Sequence, residues 1–244
     1  MSGSCFAERF EHILPLTDRE HRALEHLEET QRTVRRGAVV RRERDPASEL
    51  YVIRKGWLMS YVLLDDGSRQ ILRLHFPGDL VGASSAAFGE AADSLVAVTD
   101  VVICPFEKSA LRALFTDHPR LAALLFALTQ AERVALTDRL ASLGRTSAKA
   151  RVAAFLIDIL TRLRIMKVDL GDSFLLPLTQ EEIGDATGLT AVHVNRMMRA
   201  LVEEGLIARE NGNIRILNEE WLVRIGNYIN RYAEIDTAWL PPAN

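Results

Sequence analysis

Residues 176–207 read LPLTQEEIGDATGLTAVHVNRMMRALVEEGLI. Thr179 is followed three residues later by Glu182, the spacing of a capping box, in which the hydroxyl takes the N3 amide and the carboxylate reaches back to the cap. The spacing predicts a short helix over 179–187 with Thr179 as its N-cap, and Gly188 permits the tight turn that ends it. Thr190 caps a second helix running to about Glu204, which Gly205 stops. Ile183, Ala186, Leu189, Val194, Met197, Met198 and Leu201 supply a shared core, with Val194, Met197 and Leu201 pointing inward. Two helices at this spacing form a helix–turn–helix, whose second helix is placed to lie in a major groove. Residues 206–209 and 214–216 flank Asn211-Gly212-Asn213 and read as two strands about a tight turn, a β-wing.

That second helix leaves Ala191, Val192, His193, Asn195, Arg196 and Arg199 for its other faces. Arg196 suits bidentate contact with guanine, Asn195 suits adenine or a phosphate, and Val192 offers only an apolar contact such as a thymine methyl. With the two caps, Thr179 and Thr190, these are the candidate DNA-contacting residues.

The chain has 244 residues, is 48% hydrophobic and carries a formal net charge of -3. That balance fits one large or two modest globular domains and argues against general coating of nucleic acid, while allowing a local basic patch. No signal peptide or membrane-length apolar run is read, so the cytoplasm is the simplest placement and no membrane partner is expected. Cys5 and Cys104 form no CxxC pattern, and Cys5 reads as a passive cysteine in a flexible tail. There is no GxSxG, HExxH or P-loop, so no catalytic residue is assigned and an enzyme is not expected.

Residues 33–106 carry short apolar runs, such as Leu50-Tyr51-Val52-Ile53, punctuated by glycines. Asp65-Asp66-Gly67 reads as a hairpin turn, and the whole as an antiparallel roll or sandwich. Residues 119–144 then form a long helix with Leu121, Leu125, Leu128, Leu136, Leu140 and Leu143 near one side, interrupted by Glu132 and Arg139. Such a face packs on its own domain or pairs with a second copy. Gly144 ends it, and 149–166 follow as an amphipathic helix. Beyond Asn218, Trp221, Leu222, Ile225, Tyr228 and Ile229 at helical spacing predict an added helix.

With these pieces in place, the chain resembles bacterial transcription regulators of the CRP/FNR superfamily over nearly its whole length. The opening stretch resembles the family's helix–turn–helix. YVIRKGWLMSYVLLDDGSRQILRLHFPGDLVG, residues 51–82, resembles its cyclic-nucleotide-binding-like β-roll. The resemblance implies an α+β fold: an N-terminal antiparallel β-roll (a cupin-like jelly roll) as sensor domain over 1–118, a dimerisation helix over 119–144, and a winged helix–turn–helix with a C-terminal helical extension over 145–244. It further implies a homodimer on a pseudo-palindromic double-stranded DNA site, with RNA polymerase as a partner. The dimer seam would then be Leu121, Leu125, Leu128, Glu132, Leu136, Arg139, Leu140 and Leu143, with Glu132 and Arg139 pairing across it.

Departures from the family narrow the effector. Cyclic-AMP-binding members carry a Gly-Glu pair and an Arg-Ser pair around the cyclic phosphate. Here the turn Pro77-Gly78-Asp79 and Gly82 are present, but the other positions read Ala83, Ala91 and Ala92, and no arginine lies between Leu74 and Leu111. Ser84, Ser85 and Ser94 offer only neutral hydrogen bonds. A buried phosphate needs a cation, so cyclic AMP is not expected. Four thiolates are the usual iron–sulfur ligation, and two cysteines do not supply them, so no cluster is expected. No metal site and no cofactor is assigned, with haem through His75 or a neighbour left open. A small apolar effector near Trp57, Tyr61, Leu72, Leu74, Gly82 and Ser84 is the pocket reading, against the reading that these residues fill the roll's core. The alternative function is a cyclic-nucleotide-responsive module acting on a protein partner, which would need the phosphate arginine and no winged helix.

Overall fold

The structure, a computed structural model, describes residues 3–243, apart from the side chains of Ser85 and Val168. It divides into two compact units: residues 3–68, 72–130 and 234–243 make the first, Arg69–Ile71 and Ala131–Ala233 the second.

The first unit opens with α1 (Cys5–Glu11) and α2 (Asp18–His26). This segment is not the flexible tail that its polarity suggests. Phe6 and Phe10 are buried and stack edge to face, and Glu28 accepts from the Phe6 amide at 2.8 Å. A capping box between Thr17 and Glu20 starts α2. Then come β1 (Arg32–Val34), β2 (Val39–Arg41), β3 (Glu49–Lys55), β4 (Leu58–Leu63), β5 (Arg69–His75), β6 (Leu80–Val81), β7 (Ser94–Ala97) and β8 (Val101–Glu107), followed by α3 (Lys108–Asp117). Among the described residues these strands form two four-stranded sheets, in the orders β1-β8-β3-β6 and β2-β7-β4-β5. The antiparallel roll is therefore present.

The run Leu50-Tyr51-Val52-Ile53 shows no alternation because β3 is buried on both faces. Successive residues of a strand point to opposite sides. Tyr51 and Ile53 join Leu58, Val81, Leu95, Val101 and Ile103 in one cluster. Leu50 and Val52 join Cys104, Phe6, Phe10 and the leucines Leu121, Leu124, Leu125 and Leu128 in the other.

Those last leucines belong to α4 (Pro119–Arg145), which runs one residue beyond Gly144. The stripe read from the sequence thus splits. Leu121, Leu125 and Leu128 are buried in the first unit, whereas Leu136 and Leu140 are 46% and 71% exposed. The closing segment 234–243 also lies in the first unit, where Ile235 and Leu240 pack on the cluster that holds Leu121. Trp239 meets Phe126 edge to face at 6.3 Å.

The second unit adds α5 (Ala148–Met166), β9 (Ser173–Leu175), α6 (Gln180–Thr187), α7 (Ala191–Glu203), β10 (Ile207–Glu210), β11 (Asn213–Ile216) and α8 (Glu219–Gly226). Its sheet runs β10-β11-β9. The extension is a helix, but a short one: Asn227 takes a left-handed conformation at φ 48° and ends it before Tyr228 and Ile229. The α8 helix sits close on α5, because a Cβ at Gly226 would lie only 2.8 Å from the Ala154 nitrogen.

Candidate nucleic-acid interface

Local chemistry sets the helix–turn–helix. The Thr179 amide donates to Glu182 Oε2 at 2.8 Å and the Glu182 amide to Thr179 Oγ1 at 3.1 Å, a closed capping box. Such caps contribute about 0.5–2 kcal/mol. Gly188 ends α6 with a left-handed φ of 65°. Arg151 of α5 donates to the Thr187 and Gly188 carbonyls at 2.8 and 3.2 Å, capping α6 from below. Arg139 donates to the Ala186 carbonyl. This bond ties Arg139 of α4 to the C-terminal end of α6 within one chain. Within α6, a Cβ at Gly184 would lie 2.3 Å from the Leu189 carbonyl oxygen, so glycine is what lets the turn close onto the helix.

The Thr190 hydroxyl accepts from the His193 amide at 3.3 Å and starts α7. Val194, Met198 and Leu201 are fully buried. Met198 therefore holds the inward position expected of Met197, which is only half-buried. Steps of four and three residues keep 194, 198 and 201 on one stripe. The opposite face carries Ala191, Val192, His193, Arg196 and Arg199, all exposed, with Asn195 half-buried at its edge. Val192 is 77% exposed, an unusual position for a β-branched apolar residue unless something covers it. Among the described residues Arg196 and Arg199 meet no carboxylate. Thr179 is exposed as well, one helix earlier.

The wing follows at once. The β10 and β11 strands pair from Ile207↔Ile216 to Glu210↔Asn213. Asn211 and Gly212 carry φ of 50° and 81°, the two positive values that a two-residue primed hairpin turn needs. Ser173–Leu175 adds β9 as a third strand on β11. Lys149 is held by Glu204 at 2.8 Å.

The six positions proposed for an effector are not gathered in one place. Leu58 faces the interior cluster, so by alternation Ser60 does too, and His75 Nε2 meets Ser60 Oγ at 3.1 Å. Tyr61, Leu72 and Leu74, at odd offsets from those residues, point to the other face of β4 and β5. Trp57 packs edge-on against Phe76 at 4.7 Å. Ser84 is exposed. Gly82, with φ of 86°, lies instead beside Arg41, whose Nη1 would be 3.0 Å from a Cβ at that position. Arg41 pairs with Asp93 at 2.8 Å. Burial raises the Asp93 carboxyl above its ordinary pKa, and the nearby arginine only partly offsets this. This cation was not legible in the sequence because it comes from β2, well before the stretch from Leu74 to Leu111. Among the described residues no cluster of histidine, cysteine and carboxylates is arranged to hold a metal ion.

Comparison with known proteins bears on the same elements. Residues 31–118 match the cyclic nucleotide-binding domain family, and residues 150–225 the Crp-like helix-turn-helix domain family. The nitrogen fixation regulation protein FixK of Bradyrhizobium diazoefficiens is 34% identical over 75% of this chain and 76% of its own. The fumarate and nitrate reduction regulatory protein of Escherichia coli K12 is 26% identical over 90% of this chain and 88% of its own. Among solved structures, FixK2 from Bradyrhizobium japonicum superposes with a TM-score of 0.72 at 30% identity, covering 80% of this chain and 96% of its own. A CRP-family transcriptional regulator from Thermus thermophilus gives 0.63 at 25% identity, over 85% and 100% of the two chains.

Proposed function

Because the chain belongs to the CRP/FNR family of transcription regulators, we propose that it works as a homodimer reading a pseudo-palindromic DNA site with two copies of α7, and that its β-roll is the effector-sensing unit. The chain is a transcription regulator with a helix–turn–helix DNA-binding domain, not an enzyme. One observation carries the assignment of the reading face. The α7 helix buries Val194, Met198 and Leu201 and leaves Val192, His193, Arg196 and Arg199 exposed on a rigidly capped helix beside a wing. Arg196 reads guanine, Val192 contacts a thymine methyl, and His193, Asn195 and Arg199 take neighbouring base edges or phosphates. Thr179, Thr190 and Ala191 lie at helix starts, where backbone amides approach phosphate oxygens.

The exposed Leu136 and Leu140 on α4 support self-association through its second half. RNA polymerase is the partner through which DNA binding becomes regulation, and the bacterial cytoplasm is where both are met. In this reading the roll takes neither cyclic AMP nor an iron–sulfur cluster: Ala83, Ala91 and Ala92 offer no polar side chain, and the chain has two cysteines.

In vitro selection from a random DNA pool, followed by binding of the selected site, tests the proposal. Enrichment of a two-fold related sequence bound by two chains is expected. Binding without sequence preference, or by a single chain on one half-site, would overturn it.

A further inference from the structure

Arg41 ends β2 and is 5% exposed. The ladder explains what it meets. Arg41 pairs with Leu95 on β7, so Asp93, two residues earlier, arrives beside the guanidinium, and Nη2 donates to Asp93 Oδ1 at 2.8 Å. The approach to Asp93 is fixed by a second set of bonds: the Arg44 amide donates to the Ala91 carbonyl and the Ala91 amide to the Asp45 carbonyl, both at 2.9 Å. On its other side the same guanidinium runs alongside Gly82, where any side chain would press on it. A buried guanidinium requires an anion. Here the anion belongs to the chain.

We propose that Asp93 is a resident anion: it holds, on Arg41, the position that a phosphate-bearing small molecule would need in this roll, and so closes the roll to such ligands. This rests on the reading of the roll as the sensing unit. A carboxylate and a phosphate oxygen are alternative acceptors for one guanidinium fork, and one occupant excludes the other. Asp93 is half-buried and desolvation makes its ionisation costly; with its charge removed, a dissolved anion can take its place on Arg41. A pair that served only to join β2 to β7 would lose stability on neutralisation, but no dissolved anion would restore it.

The test uses the full chain and inorganic phosphate as probe, with sodium chloride at equal ionic strength as reference. Thermal unfolding is followed for the natural sequence, Asp93→Asn and Arg41→Gln/Asp93→Asn. The natural sequence should respond alike to phosphate and chloride, and cyclic AMP should not shift it. Asp93→Asn should melt lower, and its midpoint should climb with the logarithm of phosphate concentration, as expected for a ligand bound only by the folded state. The double variant should lose that response. A phosphate-specific or cyclic-AMP shift in the natural sequence, or none in Asp93→Asn, would overturn the proposal. If Asp93→Asn aggregates, refolding with and without phosphate decides: recovery only with phosphate supports a resident anion, and failure in both overturns it. DNA affinity of the natural sequence is measured in parallel. Its absence would sink the regulator reading and leave the anion result standing.

Discussion

Arg196 is the residue on which sequence readout rests. Replacing it with alanine should weaken binding to the selected site by about 1–3 kcal/mol and relax preference at one base pair per half-site, while binding to random DNA changes far less. A selection repeated with Arg196→Ala that returns the original motif would refute the assignment. A second prediction concerns the thiols. Burial, with Glu28 next in weight, pushes Cys5 and Cys104 up to about 11. The thiolate is the nucleophile, so a raised pKa means less of it at any lower pH. Alkylation of both cysteines in the native chain should be slow at pH 8, accelerate as pH rises toward that value, and become fast at pH 8 in denaturant. Equal rates in native and denatured chain would contradict the burial. Single residues were legible where the signal is local. Thr179, Glu182, Gly188 and Thr190 were read correctly because a cap involves neighbours within four positions. The faces of Met197 and Met198 were not, because the two neighbours are both apolar and only tertiary packing chooses between them.

At the scale of elements, α4 shows what periodicity conveys and what it omits. A leucine stripe says that a face is covered, not by what. In the structure Leu128 is covered by its own chain and Leu136 is not. Leu136→Asp and Leu140→Asp should therefore weaken self-association with the unfolding midpoint nearly unchanged, whereas Leu128→Asp should destabilise the chain itself, since it buries a charge without a partner. Sedimentation and thermal melts on the three variants separate the two effects. An unaltered dimer in both exposed-site variants would place the seam elsewhere. The α8 helix offers a sharper case. Gly226 and Ala154 let it approach α5 to backbone contact, and Gly226→Val should cost about 1–3 kcal/mol through overpacking, read as a lower denaturation midpoint. A midpoint that does not move would mean α8 docks loosely. The wing hairpin was legible from Asn-Gly alone. The third strand, β9, was not, since Ser173–Leu175 is too short to show a period.

For the whole molecule, a formal net charge of -3 hides the exposed Arg196 and Arg199 on α7. Overall repulsion and local attraction together make DNA affinity steeply salt-dependent. The logarithm of affinity should fall linearly with that of salt concentration, by about 0.9 for each phosphate neutralised. Equal affinity at low and high salt would mean that phosphates are not contacted. The division into a roll and a winged helix was legible, because glycine-punctuated strands and capped helices differ in texture along the chain. The final segment was not, since residues 234–243 leave no periodic signal and their partners, Phe126 and the core near Leu121, are more than a hundred positions away. That segment has a practical consequence. The first unit is not a contiguous stretch of polypeptide: the chain leaves it at Gln130 and re-enters at Glu234. A chimera made by the usual single splice after the long helix would discard Ile235, Trp239 and Leu240. A reader of different specificity has to be exchanged as an insert with two junctions, and a gene cut only once should yield a roll with an open apolar wound.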